Sequence, residues 1–165
     1  MIFVTVGTHE QSLNRLVEYI DELKEQGIIK ERVVIQTGFS TYKPKHCEWK
    51  KLFSYNEMIS NVQEARLVIT HGGPSSFIMP LQFNKIPIVV PRQKKYDEHI
   101  NDHQVEFSRK VEKIQGNIIV VEDIGKLKEI ILNYDSIIKS MPIGIKSNNK
   151  KFNIEFERLI DDLFK

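Results

Sequence analysis

The sequence predicts an α/β domain built on a single Rossmann-like, doubly wound parallel sheet. Three observations carry this. Short continuous runs of apolar and β-branched residues recur along the chain, as expected of strands covered on both faces. Between them lie segments whose apolar residues are spaced by three and four, the mark of helices with one buried face. The two patterns alternate, which indicates βαβ units and parallel strands.

The first strand is "IFVTVG", ended by Gly7. "SLNRLVEYIDELKEQG" follows as a helix with Leu13, Leu16, Val17, Ile20 and Leu23 on one face, Ser12 as the expected N-cap and Gly27 as terminator. Then come strand "RVVIQTG", helix "NEMISNVQEA", strand "RLVIT", helix "SSFIMPLQF" and strand "IPIVVP". The spacing next predicts helix over "HINDHQVEFSRKVEKI", strand over "NIIVV" and one helix over "IGKLKEIILNYDSIIKSM". After the polar break "KSNNKK", residues 147–165 place Phe152, Phe156, Leu159, Ile160 and Leu163 along one stripe. This amphipathic helix either packs back on its own sheet or docks a partner.

The 165 residues are read as one domain, 1–165, able to bury a core without metal or disulfide staples. With 41% hydrophobic and 28% charged residues the chain is an ordinary globular one, which excludes disordered and fibrous classes. A net charge of +2 is too small to mark a surface built for nucleic acid. Cys47 is the single cysteine, so no internal disulfide forms and a reducing, cytoplasmic setting is expected. The start "MIFVTVGTH" lacks the pattern of a signal peptide, and no apolar run approaches the roughly 18 residues that cross a bilayer. Membrane contact is therefore expected to be peripheral or through a partner.

In an open parallel sheet, ligands bind where loops leave the carboxyl ends of the strands. Three such loops carry chemistry-bearing residues: "GTHEQS", "QTGFSTY" and "HGGPSS". Glycine permits close backbone approach, and amides at a helix start offer donors and a favourable dipole to a phosphate. Gly7 with Thr8, and Gly72 and Gly73 with Ser75 and Ser76, fit that description, although one such loop by itself can equally be a turn. No G-x-x-x-x-G-K-[ST] or G-x-G-x-x-G is present, which disfavours NTP hydrolysis and an ordinary NAD site. His71 among the glycines reads either as a packed, hydrogen-bonded residue or as a contact to a diphosphate or sugar. His9 reads as a base or a substrate contact. The cluster "PRQKKYDEHINDHQ" would set His99 and His103 on one helical face, but no further ligands or H-E-x-x-H order accompany them, so sugar-hydroxyl recognition is preferred to a metal.

At "VTVGTHEQSLNRL", at "VITHGGPSSFIMPLQFNKIPIVVPRQKKYDEHINDHQVEF" and in the segment joining them, the chain resembles the C-terminal, donor-binding domain of family 28 glycosyltransferases. It is similar in particular to small bacterial capsule and exopolysaccharide subunits that act as split galactosyl- or glucuronosyltransferases, and to the soluble half of the eukaryotic two-part N-acetylglucosamine transferase. The resemblance implies one half of a GT-B architecture, with a UDP-sugar on the carboxyl edge of the sheet and no cofactor beyond that donor. By motif it places Gly7, Thr8, His71, Gly72, Gly73, Ser75 and Ser76 near the diphosphate. It places Phe53, Ser54 and Tyr55 in the stretch whose backbone reads uracil, and His103 and Gln104 at the donor sugar. Many relatives carry a ribose-binding glutamate where this sequence has Met79 or Pro80.

The same resemblance implies a membrane-anchored partner that brings a lipid-linked saccharide and recruits the chain to the inner face of the cell membrane. The expected reaction is inverting transfer of a hexose, galactose in a β-1,4 linkage, with His9 as candidate base. A non-catalytic nucleotide-sugar-binding subunit is the alternative, and a UDP-sugar epimerase a third reading.

Overall fold

The computed structural model describes residues 1–144, so the expected helix 147–165 lies outside the described residues. Among the described residues, β1 (Ile2–Thr5), β2 (Val33–Gln36), β3 (Glu48–Lys50), β4 (Leu67–Thr70), β5 (Ile88–Val89) and β6 (Ile119–Val120) form one parallel sheet. The order is β3-β2-β1-β4-β5-β6, so the direction of winding reverses between β1 and β4. The fully buried apolar strands β1, β2 and β4 sit in the middle, as continuous hydrophobic runs require.

Alternation along β1 divides the core. Ile2 and Val4 meet Leu16, Val17 and Ile20 of α1 (Asn14–Glu25), in a cluster that also takes Leu127 and Ile131 of α5 (Leu127–Ile137). Phe3, from the opposite face, packs with Val34, Val68 and Val62 of α2 (Tyr55–Glu64). Further along that face Phe77 and Leu81 of α3 (Pro74–Gln82) cluster with Val89 and Ile118, joined by Phe107 and Val111 of α4 (His103–Gln115). Helices on both faces make the sheet doubly wound, as expected.

Local chemistry sets the ends of these elements, not always as the sequence suggested. Gly27, at φ +69°, closes α1 in a Schellman arrangement, its amide reaching Lys24 O and that of Ile28 reaching Leu23 O. Ser12 does not cap α1. Leu13 is the N-cap residue, and its amide is taken by Ser40 Oγ at 3.1 Å, a cap supplied from the loop after β2. Strand β3 was hidden in "KPKHCEWKK", because an exposed edge strand lacks an apolar run. The preceding connection is pinned by Asp21, whose carboxylate accepts from Tyr42 Oη and the amides of Lys45, His46 and Cys47. Burial and the neighbouring Asp21 push the Cys47 thiol up to about 12, so it stays protonated and unreactive.

Helix α4 begins at His103, not His99. Asn101 Oδ1 accepts the His103 amide at 3.1 Å, an Asx turn that starts the helix there. His99 therefore lies in the preceding turn, off any helical face shared with His103. The single helix expected over 124–141 is a 3-10 turn (Ile124–Lys126), α5 and a second 3-10 turn (Ile138–Ser140).

Candidate functional site

Each central strand ends in a polar residue: Thr5, Gln36 and Thr70 stand side by side in register across the sheet. Gln36 Nε2 donates to Thr5 Oγ1 at 3.0 Å, which also accepts the Gly7 amide at 3.2 Å. Gln36 Oε1 accepts the Phe53 amide at 2.9 Å. One buried polar string thus joins the loop after β1, the end of β2 and the entry to α2. It forms the floor of a cleft of about 560 Å³ at the switch point.

The cleft brings together Gly7, Thr8, His9, Phe53, Tyr55, His71, Ser75 and Ser76, with Thr5, Gln36, Met58 and Met79 completing its lining. It does not bring in the other expected site residues. Ser54 caps α2 in a reciprocal capping box with Glu57. His103 is exposed on the first turn of α4, its ring stacked on Phe107 with centroids 6.2 Å apart. Gln104 Oε1 accepts from the amides of Gly72 at 3.1 Å and Arg92 at 3.2 Å, tying the loop after β4 to the loop after β5. Of the two positions in doubt for the ribose, Met79 faces the cleft and Pro80 is buried.

The glycines of "HGGPSS" serve a different purpose from the one their sequence suggests. The Gly73 amide donates to His71 Nδ1 at 3.0 Å, and the Gly72 amide is held by Gln104, so neither is free for a ligand in this structure. A Cβ on Gly7 or on Gly73 would overlap the His71 ring, and one on Gly72 would meet Gln104, Ser108 and Pro91. The glycines make room for a histidine and for α4. At the start of α3 the Ser75 amide has no protein acceptor among the described residues, whereas that of Ser76 bonds Gly73 O. Ser75 N–H is therefore the available donor on the positive end of the helix dipole.

His71 is buried, and the bond from Gly73 fixes its tautomer: Nδ1 is the acceptor, and Nε2–H donates to Ser76 Oγ at 2.8 Å. Burial, and then the charge of Arg92, push its pKa down to about 4, so the ring is neutral at physiological pH. Ser76 Oγ, having accepted from His71, keeps its own proton for another acceptor in the cleft. His9 is exposed, accepts the Gln11 amide on Nδ1 at 3.2 Å and lies against His99 with ring centroids 5.2 Å apart. Its pKa is lowered by burial, then by Arg92 and His99, which favours the neutral, base-competent ring.

Sequence reasoning missed Thr5 and Gln36, although a signal was present: a polar residue closing an otherwise apolar buried strand. A second hollow of about 520 Å³, lined by Lys95, Tyr96, Glu122, Asp123, Lys126 and neighbours, lies at the end of β6 and includes none of Thr5, Gln36 and Thr70. Among the described residues no group of three or more His, Cys, Asp and Glu stands together as a metal-binding set. No helix among them is long and apolar enough to cross a membrane.

An open parallel sheet with a cleft across its switch point, floored by Thr5 and Gln36, defines a doubly wound α/β domain of the ligand-binding kind. Residues 1–162 match the glycosyltransferase family 28 C-terminal domain, and the chain belongs to that family. It is 29% identical over 119 residues to the Homo sapiens UDP-N-acetylglucosamine transferase subunit ALG13, an alignment covering 68% of this chain and 10% of that protein. The fold is shared with the kitacinnamycin glycosyltransferase (TM-score 0.62, 16% identity, 82% of this chain and 34% of that one). It is also shared with CalG4, the calicheamicin glycosyltransferase (TM-score 0.55, 13% identity, 82% and 35%). The sheet is thus one half of a GT-B architecture, and the chain spans a minor part of each of these proteins.

Proposed function

We propose that the chain is the donor-binding half of a split, inverting glycosyltransferase that uses a UDP-sugar. The observation that carries this reading is the switch-point cleft, where a neutral His71, Ser76 Oγ and the Ser75 amide meet the Gly7–Thr8 loop in a member of a glycosyltransferase family. The diphosphate is assigned to the α3 N-terminus, where Ser75 N–H, the Ser76 hydroxyl and the helix dipole oppose negative charge. Uridine is assigned to the side walled by Phe53, Tyr55 and Met58, with Met79 beside the ribose in place of a carboxylate.

In the proposed reaction an acceptor hydroxyl attacks the anomeric carbon, the bond from that carbon to the UDP oxygen breaks, and configuration inverts. Charge accumulating on departing UDP is stabilised by donors already in place. The hydroxyl proton passes to His9, through Nδ1 once the Gln11 amide is released or through Nε2 after tautomer exchange. The transferred hexose is assigned as galactose, in a β-1,4 linkage, onto a lipid-linked saccharide in capsule or exopolysaccharide synthesis. Similarity to a human protein named as a transferase subunit supports a second subunit. That subunit is assigned as membrane-anchored, holding the acceptor and recruiting this cytoplasmic chain to the inner face of the membrane.

Calorimetric titration with UDP, GDP and NAD tests the donor assignment. Selective UDP binding, lost in a His71→Ala, Gly73→Ala variant, is the expected result; indifference among the three ligands, alone and with the second subunit, overturns it. One observation favours the alternative of a non-catalytic, nucleotide-sugar-binding subunit: no carboxylate lines the cleft among the described residues. On that reading His9→Gln leaves transfer by the reconstituted pair unchanged.

A further inference from the structure

Arg92 is the largest fully buried side chain among the described residues. Its Nη1 donates to the carbonyls of Gln11 at 2.7 Å, Ser12 at 2.8 Å and Glu98 at 3.4 Å, and Nη2 to Val6 O at 2.9 Å. Val6, Gln11 and Ser12 bracket the loop that carries Gly7, Thr8 and His9 into the cleft. Nε is enclosed without an acceptor among the described residues.

The hydrogen bonds explain how the loop is held, but they do not balance the charge. The adjacent acid, Glu98, is committed elsewhere: its carboxylate accepts from Arg15 Nε and Nη2, both at 2.9 Å, and from the Gln93 amide at 3.0 Å. Arg92 itself makes no ion pair among the described residues. Arg15, Arg92 and Glu98 together therefore carry one positive charge in excess, and a buried charge without a counter-ion is costly. His9 and His71, which face the cleft, are both held below their usual range, by burial first and then by Arg92, which favours their neutral rings; imidazole in either protonation state supplies no anion to balance Arg92. Glu10, the acid beside His9, is exposed to solvent.

We propose that Arg92 is a positioning residue whose buried charge is the counter-ion of the ligand's diphosphate, acting across the Val6–Ser12 loop that it fixes, without touching the ligand. This rests on reading the cleft as a nucleoside-diphosphate site. It assigns Arg92 an effect that follows phosphate charge, which a purely architectural role would not have.

The test is calorimetric titration of the full chain with UDP, GDP, uridine and inorganic pyrophosphate at low ionic strength, for wild type, Arg92→Lys, Arg92→Met and Glu98→Gln. In wild type UDP binds more tightly than uridine. Arg92→Lys keeps most of that ratio, while Arg92→Met reduces it about tenfold or more and weakens pyrophosphate in parallel. Glu98→Gln, which retains shape and removes the opposing charge, raises the ratio; it keeps the test decisive if Arg92→Met does not fold. A UDP-to-uridine ratio unchanged in Arg92→Met, or not raised in Glu98→Gln, overturns the counter-ion role while leaving the donor site standing. Pyrophosphate binding that depends on Arg92, with no preference for UDP over GDP, overturns the uridine assignment instead. Failure of wild type to bind any of them, alone and with the second subunit, overturns both.

Discussion

His71, directly after β4, and His9, in the loop after the neighbouring strand β1, line the same cleft, yet the fold treats them in opposite ways. His71 is 8% exposed, flanked by two glycines that have no side chains to exclude it, and its two nitrogens are assigned to Gly73 and Ser76. His9 is exposed on a loop, with a single backbone donor on one nitrogen. A histidine built into the architecture orients other groups; one that is free at one edge can exchange a proton. Position at a strand end does not separate these roles, whereas hydrogen-bond satisfaction does.

The largest effect that can test this contrast is on transfer itself. His9→Gln is expected to lower turnover of the reconstituted pair by roughly 10²–10⁴-fold with little change in UDP affinity. Steady-state and binding measurements on one preparation check it, and unchanged turnover removes His9 from the chemistry.

The second effect belongs to His71 and depends on pH. Its folded-state pKa, about 4, lies below the unfolded value of 6.5, so the unfolded chain takes up the proton first as pH falls. Stability from the neutral buried ring is fully present above pH 6.5 and is lost progressively down to about pH 4. The loss attributable to this group is roughly 3 kcal/mol. Urea unfolding of wild type and His71→Asn across that range should differ in slope; identical slopes would show that the ring is not held neutral.

Gly73→Ala comes next. The added methyl group meets the His71 ring, and overpacking of this kind costs about 1–3 kcal/mol. The cost should shrink when His71 is also alanine, a coupling that a double-mutant cycle in denaturant reads directly. Additive effects would mean that the glycine is needed for some reason other than the ring. Ser54→Ala, which removes half of the α2 capping box, is expected to cost about 1 kcal/mol and to leave UDP affinity within twofold. A larger loss of affinity would return Ser54 to the ligand site. Smallest of all, His9→Gln should shift stability by no more than about 0.5 kcal/mol, since an exposed loop side chain carries little of the fold.

Much of this molecule was legible from local pattern. The runs that became β1, β2 and β4, the amphipathic stripe of α1 and its Gly27 stop are short-range features, because burial of a strand or helix leaves a period in the sequence. The two glycine-bearing loops were legible as a site for a related reason: alternation implies a parallel sheet, and a parallel sheet gathers its loops at one edge. Strand β3 left no trace, since an exposed edge has no apolar requirement. The helical spacing extends over His99–Asp102, but Asn101 Oδ1 takes the His103 amide and α4 starts only there.

By itself, then, the sequence determined the α/β class, the order of most elements and the loops that meet at the cleft. Only the tertiary structure decided what those loop residues do. That Gly7 and Gly73 make room for His71, that Gln104 holds Gly72 rather than lining the cleft, and that Arg92 lies under the loop after β1 are contacts between distant parts of the chain. Periodicity records whether a residue is buried; it does not record which partner fills the space beside it.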